Sequence, residues 1–280
     1  MYKTIVVQVD GSTRQPARLR AAAWLAETHG AHLIGSAATG FSWADFATLA
    51  GSAGGPIMLD SDFQSLRDAA GNRLDEFAEQ ARRLGVASTE CRLVEDDPRY
   101  ALLMQSRYAD LVVLSPDGDP DPDGPLRVRG LPEHVALHGA RPVLVVPGDY
   151  DGQPIAQTAV VGWDGSMQAI RAIDAAMPLL QRAATIKLAL INPDTLSGLH
   201  GEEPGADMAL YLARQGVRVD VVVERTRATA GDALVSLARA SGAGVLVAGA
   251  YGHSRFRELV LGGATRELLE RSPVPLLLAH

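Results

Sequence analysis

Apolar residues fall into two alternating patterns along this chain. Short unbroken runs, Ile5-Val6-Val7 early and Val245-Leu246-Val247-Ala248 late, are what strands buried on both faces require. Between such runs, apolar residues recur at helical spacing. One stripe is Leu66, Ala70, Leu74, Phe77, Ala81 and Leu84, and another is Met167, Ile170, Ile173, Met177 and Leu180. The second half continues with a strand over Thr185 to Ile191 and a helix over Gly205 to Gln215, closed by Gly216. Val217 to Val221 alternates as a half-exposed edge strand does, and helices are predicted over Asp232 to Ala240 and Ala264 to Arg271. Strands alternating with crossover helices predict an α/β fold, a parallel sheet with helices on both faces.

The pattern is written twice. Ile5-Val6-Val7-Gln8-Val9-Asp10-Gly11-Ser12 is answered 154 positions later by Ala159-Val160-Val161-Gly162-Trp163-Asp164-Gly165-Ser166. Arg141 to Val146 is answered by Val274 to Ala279 at an offset of 133, so the first half carries additional residues. Gly40 to Asp62, rich in Gly, Ala and Ser with Phe41, Trp43 and Phe46 among them, is the candidate insertion. Pro147 to Pro154 has turn formers and no apolar period, which marks a linker. The expected domains are residues 1–149 and 155–280, and the length of 280 residues suits two.

Composition narrows the partners. Hydrophobic residues make up 47% but aromatic ones only 5%, so the core is built from Ala, Val, Leu and Ile. With a net charge of −7 and scattered basic residues, neither nucleic acid nor an anionic membrane is expected as a partner. Cys91 is the only cysteine, which excludes an intramolecular disulfide and suits a reducing compartment. Met1 to Thr4 leads straight into a strand-like run and does not read as a secretory signal, and no apolar stretch is long enough to span a bilayer. A cytoplasmic location is the expectation.

The stretch richest in chemistry is Gly249-Ala250-Tyr251-Gly252, nine residues, then Gly262-Gly263-Ala264-Thr265. A buried strand, a glycine turn and a glycine-led helix start form a recurrent anion-binding arrangement. Helix N-termini offer unpaired N–H groups, and glycines let phosphate approach the backbone. In a parallel sheet, ligands settle at the carboxyl ends of strands where strand order reverses, and Asp164 and Gly249 end the two strands expected there. Each has a plainer reading: Asp164 as a helix N-cap, the glycines as turn residues, Thr265 as a helix stabiliser. No Gly-Lys pair makes a P-loop, and no G-x-G-x-x-G follows a first strand. Arg255, Arg257 and Ser254 in the intervening segment are candidate phosphate donors or solvated loop residues.

Other signals are weaker. Asp119 to Gly124 opens like a calcium loop, but position twelve is Gly130 and prolines stiffen it. His134 and His138 lie one helical turn apart with no further ligand nearby, and His200-Gly201-Glu202-Glu203 is not a zinc motif. No Ser–His–Asp set can be assembled. The expectation is a binding protein and not an enzyme, with no catalytic residue and no metal site.

These residues resemble the tandem-domain members of the universal stress protein family. Asp-Gly-Ser closes the first strand of both halves, and the second half carries G-x2-G-x9-G before a helix and a Pro-led last strand. The resemblance covers nearly the whole chain. It implies two repeated domains, each a five-stranded parallel sheet of order 3-2-1-4-5, and a stress-response role with ATP, alone or with Mg2+, bound as a regulatory ligand. Carried over by position, Asp164 is similar to the family's acidic residue at the adenine and ribose end, and Ile191 to its apolar adenine contact. Gly249, Gly252 and Gly262 match the three motif glycines, with His253, Gly263, Ala264 and Thr265 completing the implied site. Gly263 stands where ATP binders of the family usually carry Ser or Thr. The resemblance also implies antiparallel pairing of the last strands, here Pro142 to Val146 with Pro275 to Ala279, as an intrachain pseudo-dimer; a homodimer beyond that is left open.

The first half departs from this pattern. Ser115 and Gly118 stand opposite Gly249 and Gly252, and Arg129 lies near the third glycine. Asp117, Asp119, Asp121 and Asp123 would repel a triphosphate, and Pro120, Pro122 and Pro125 preclude the same loop. The N-terminal domain is therefore expected not to bind nucleotide, and to serve structure or a different ligand. Two alternatives for the whole chain are a nucleotide-free scaffold for protein partners, motivated by the 40–62 insertion, and a slow ATP hydrolase.

Overall fold

The structure, a computed structural model, describes residues 1–42, 48, 60–118, 128–195, 203–251 and 263–280. Most of the 40–62 insertion, the Asp-Pro stretch from Asp119, the turn at His200, and Gly252, His253, Ser254, Arg255, Arg257 and Gly262 lie outside the described residues. The chain divides into two compact units, Met1–Arg141 and Pro142–His280.

In the first unit the strands are Thr4–Gln8 (β1), His32–Ala38 (β2), Thr89–Val94 (β3) and Leu111–Leu114 (β4). They lie in the order β3-β2-β1-β4 and every pairing is parallel. The helices are Gln15–His29 (α1), Asp60–Arg83 (α2), Pro98–Ser106 (α3) and Leu131–His138 (α4). β1 and β4 are buried almost throughout, as continuous apolar runs between two helical layers must be. The α2 stripe packs as its period predicts: Ala70, Leu74, Phe77 and Ala81 are buried. Leu84, grouped with that stripe on spacing, is instead exposed. The helix stops before it, because Gly85 at φ +79° lets the Val86 N–H turn back to the Ala81 carbonyl, 3.1 Å away.

The second unit opens with Val143–Val145 (β5), followed by Thr158–Gly162 (β6), Thr185–Ile191 (β7), Val219–Glu224 (β8), Val245–Gly249 (β9) and Leu276–Ala279 (β10). Its helices are Met167–Leu180 (α5), Ala206–Arg214 (α6), Ala230–Ala240 (α7) and Gly263–Arg271 (α8). From β8 the order runs β8-β7-β6-β9-β10, which is 3-2-1-4-5 within that half, and all of these pairings are parallel. β5 adds to β10 antiparallel, with Leu276 opposite Val145 and Leu278 opposite Val143. The residue just after the expected linker is anchored: Ile155 is fully buried, and Gly244 is required beside it because a Cβ there would sit 2.6 Å from its carbonyl oxygen.

Helix starts and the edge strand differ from expectation in instructive ways. α7 begins two residues early because Thr229 caps it, its hydroxyl oxygen accepting the Asp232 N–H at 3.2 Å. β8 alternates less cleanly than its sequence suggests. Val221 and Val223 both stand exposed, since α6, only nine residues long, leaves that face of the edge partly uncovered.

Gly35 on β2 is the tightest point of the first unit's core. A Cβ there would lie 2.5 Å from the ring of Phe77, which is fully buried. Burying such a ring is worth about 1.5–3 kcal/mol, so Phe77 claims the space and the strand yields a side chain to it. Gly35→Ala is expected to cost about 1–3 kcal/mol by overpacking, and Phe77→Leu in the same background to recover part of the loss. Urea unfolding of the two single variants and the double variant tests this; a neutral Gly35→Ala would refute it.

Candidate functional site

The carboxyl ends of β6 and β9 form the switch point of the second unit, since β6 pairs with β7 on one side and β9 on the other. The turn after β6 is built by its own side chains. Asp164 Oδ1 accepts the Ser166 N–H at 2.9 Å, and Ser166 Oγ accepts the Ala169 N–H at 3.1 Å. Ser166, not Asp164, is therefore the N-cap of α5, and Asp164 braces the turn that presents it.

Gly249 ends β9 directly against that helix start. A Cβ would fall 2.6 Å from the Ala169 nitrogen and 2.7 Å from the Gln168 carbonyl carbon. Both are backbone atoms of α5, so nothing yields, and only glycine lets β9 end there. Beyond it the turn is strained: Tyr251 has φ +59°. It is held by a hydrogen bond from the Tyr251 N–H to the buried Thr265 hydroxyl at 3.2 Å, while the Ala250 N–H donates to the Ala279 carbonyl. Thr265 thus ties the first turn of α8 to the end of β9.

Ile191 closes β7 two residues past the Gly162–Ala189 pair, at the same height along the sheet as Asp164. Asn192 follows in a left-handed conformation and locks the β7 and β8 ends together, its amide exchanging hydrogen bonds of 2.9 Å with the Thr226 backbone. Gly263 begins α8 exposed, with no atom of the described residues within 4 Å of a hypothetical Cβ, and Ala264 follows it half-buried. α7 and α8 are fastened at this end by a Thr229 hydrogen bond to Glu267 at 2.6 Å and by the Arg271–Asp232 ion pair. Asp164, Ile191, Gly249, Ala264 and Thr265 thus all lie at the carboxyl end of one sheet or on the helix start tied to it.

The matching crevice of the first unit is chemically different. Strand register places Ser115 where Gly249 stands, because Leu111 pairs with Ile5 as Val245 pairs with Ala159. Arg18 on α1, fully buried, occupies the position that Ala172 holds in α5. Its guanidinium donates to Asp10 Oδ1 at 2.6 Å, to Ser115 Oγ at 3.1 Å and to Gln8 Oε1 at 3.4 Å. Gln15 Oε1 accepts the Asp10 and Gly11 N–H groups at 3.0 and 2.8 Å, so the turn's amides are engaged by the chain itself. Sequence reading missed this plug. The signal was Arg18 in the alanine-rich stretch Ala17 to Ala23 of α1, at the position where the second half has Ala172.

His134 and His138 lie with ring centroids 4.5 Å apart and His138 Nδ1 3.0 Å from the His134 carbonyl oxygen. Among the described residues no group of three His, Cys, Asp or Glu side chains is placed to hold a metal. No helix among them is long and apolar enough to cross a membrane.

Burial alone would raise the Asp10 pKa, but the Arg18 charge and hydrogen bonds from Ser12 and Arg18 outweigh it and hold the carboxyl below its ordinary value of 3.8. A lowered folded value means the ion pair's stabilisation is complete above 3.8 and is lost as pH falls through the folded value. Asp10→Asn, which leaves Arg18 buried without its counter-charge, is expected to cost about 3–5 kcal/mol at neutral pH and to remove that acid-dependent step. Urea unfolding at neutral and acid pH reads both; an unchanged acid step would show that Asp10 is not its source.

The universal stress protein family pattern matches the chain twice, over residues 1–147 and 156–280. No curated protein matches the sequence. Among solved structures, a universal stress protein from Archaeoglobus fulgidus DSM 4304 shares 17% identity at a TM-score of 0.73, covering 99% of this chain and 95% of that one. A functionally unknown protein from Pseudomonas aeruginosa PAO1 shares 13% identity at 0.63, covering 99% and 92%. A shorter universal stress protein, solved in complex with cAMP, shares 25% identity over 53% of this chain and 98% of its own, at a TM-score of 0.38. With both halves matched and the strand order in place, the chain belongs to the universal stress protein family and carries that family's domain twice.

Proposed function

We propose that the second unit binds an adenine nucleotide, ATP, as a regulatory ligand in a cytoplasmic stress response. The observation that carries this reading is the contrast between the two crevices. In the second unit, Ala172 and Gly249 stand where the first unit places Arg18 and Ser115, so among the described residues no guanidinium takes the place of Arg18 between the ends of β6 and β9. Asp164 accepts the Ser166 N–H through Oδ1 at the end of β6, and a carboxylate at that strand end is the kind of group that suits ribose hydroxyls. Gly263 places exposed backbone at the start of α8, where N–H groups and the helix dipole favour phosphate.

These residues fit the nucleotide in kind: apolar Ile191 for the base, Asp164 for the sugar, and the Gly249 and α8 ends for phosphate. They do not fit an independently held Mg2+, so Mg2+ would arrive on the phosphates and take few ligands from the chain. With no general base placed against the helix start among the described residues, the role is sensing without turnover.

Two substitutions at one open position separate this reading from its competitors. Gly263→Ser adds a hydroxyl without a steric cost and is expected to tighten ATP binding by about 0.5–1.5 kcal/mol, a few-fold to about tenfold. Gly263→Glu suits the helix terminus but repels phosphate, and is expected to abolish binding while leaving stability intact. Calorimetry with ATP should find one site per chain and phosphate release at background. No heat with wild-type protein, two equal sites, or indifference to both substitutions would defeat the proposal.

A further inference from the structure

The first unit holds a cavity of about 360 Å³ at the carboxyl ends of β1, β2 and β4, bordered by α2 and the first turn of α3. That volume lies at the small end of the range for ligand sites. Its wall is apolar over Val9, Ala38, Phe41, Leu66, Leu102 and Leu131.

The charges around it are specific. Among the described residues, Arg14, Arg18, Arg73 and Arg129 line the cavity against Asp10, Asp97 and Asp117, one more positive charge than negative. Arg18 is cancelled by Asp10. Arg14 donates to the Pro116 and Asp117 carbonyls at 2.9 and 2.8 Å. Asp97 caps α3 through the Arg99 N–H, and Asp117 accepts the Gly130 N–H at 2.6 Å. Arg73 crosses the turn after β1, its Cδ 3.2 Å from where a Gly11 Cβ would lie, and makes no hydrogen bond or ion pair among the described residues. Arg18 Nε, inside the same crevice, is buried with no acceptor. A guanidinium without a partner at the edge of an apolar cavity, beside a buried donor without an acceptor, is incomplete without an anion.

We propose that this cavity binds a small apolar monocarboxylate, an acid carrying one aromatic ring or a branched aliphatic chain, with its carboxylate on Arg73. The one positive charge in surplus among the described lining residues suits one negative charge. A polyphosphate is disfavoured by Asp97 and Asp117 on the wall and by Gln15, which has already taken the amides of Asp10 and Gly11. The cavity also lacks the volume for a nucleoside triphosphate beside its apolar wall. This inference is independent of nucleotide binding in the second unit.

Phenylacetate, with isovalerate as the aliphatic probe, tests it by calorimetry on the intact chain. The expected result is saturable binding of at least one of the two acids at one site per chain. Phenylacetamide, the neutral counterpart, should bind at least about tenfold more weakly than phenylacetate, as loss of a charge-assisted contact implies. Arg73→Gln should weaken the acid by a similar factor with unchanged urea unfolding, and Arg73→Lys should retain part of the affinity. The phenylacetamide comparison needs no variant and holds even if Arg73→Gln fails to fold. Saturation by neither acid up to about 10 mM, equal binding of amide and acid, or displacement of the bound acid by ATP would overturn the proposal.

Discussion

In both halves of this chain the end of the fourth parallel strand must pass the start of the helix that follows the first strand. That crossing is forced by the fold, because β1 and β4, like β6 and β9, are hydrogen-bonded neighbours and their helices rise from the same end of the sheet. What fills the crossing decides what the crevice above it can hold. In the second unit the helix backbone itself comes within 2.6 Å of a Cβ on Gly249, so any side chain there would push α5 off the sheet. In the first unit α1 begins later relative to the Asp-Gly-Ser turn, which leaves space for the Ser115 hydroxyl and the Arg18 guanidinium between strand and helix.

The electrostatics follow from that packing. An arginine with no exposed surface is tolerated only with a counter-charge and good hydrogen-bond geometry, and Arg18 has Asp10, Ser115 and Gln8 around it. Once formed, the pair is hard to open, because separating Asp10 from Arg18 strands a buried charge. The acidic residue that ends the first strand is thereby withdrawn from any ligand in the first unit. Asp164 faces no such arginine at the corresponding position, where Ala172 stands. One frame therefore carries two electrostatic designs.

Much of the frame was legible in the sequence. Continuous apolar runs located β1, β6 and β9, because a strand covered on both faces has no polar positions to blur it. The 3.6-residue stripes located α2 and α5, and the repeated Asp-Gly-Ser fixed the relation between halves. β3 was not distinguished, since Thr89-Glu90-Cys91-Arg92 is polar and its strand is largely exposed at the sheet edge. Gly249 was conspicuous as a turn glycine, but its reason is contact with α5, which no local pattern contains. Thr265 was read as a hydroxyl donor or helix stabiliser, and that reading did not include the Tyr251 amide that its oxygen receives across the strand–helix gap. Arg18 was not singled out: arginines on a helix ordinarily snorkel to solvent, and only the three-dimensional crossing shows that this one turns inward.

The glycines therefore divide by the kind of space they keep. Gly35 and Gly249 are required by atoms already present, a phenyl ring in one case and helix backbone in the other, and their contribution is to packing. Gly263 is different: it sits exposed at a helix start, and no atom of the described residues stands within 4 Å of a Cβ there. At the start of a helix glycine costs far less than in its interior, so the described neighbours neither require Gly263 nor bar a side chain there.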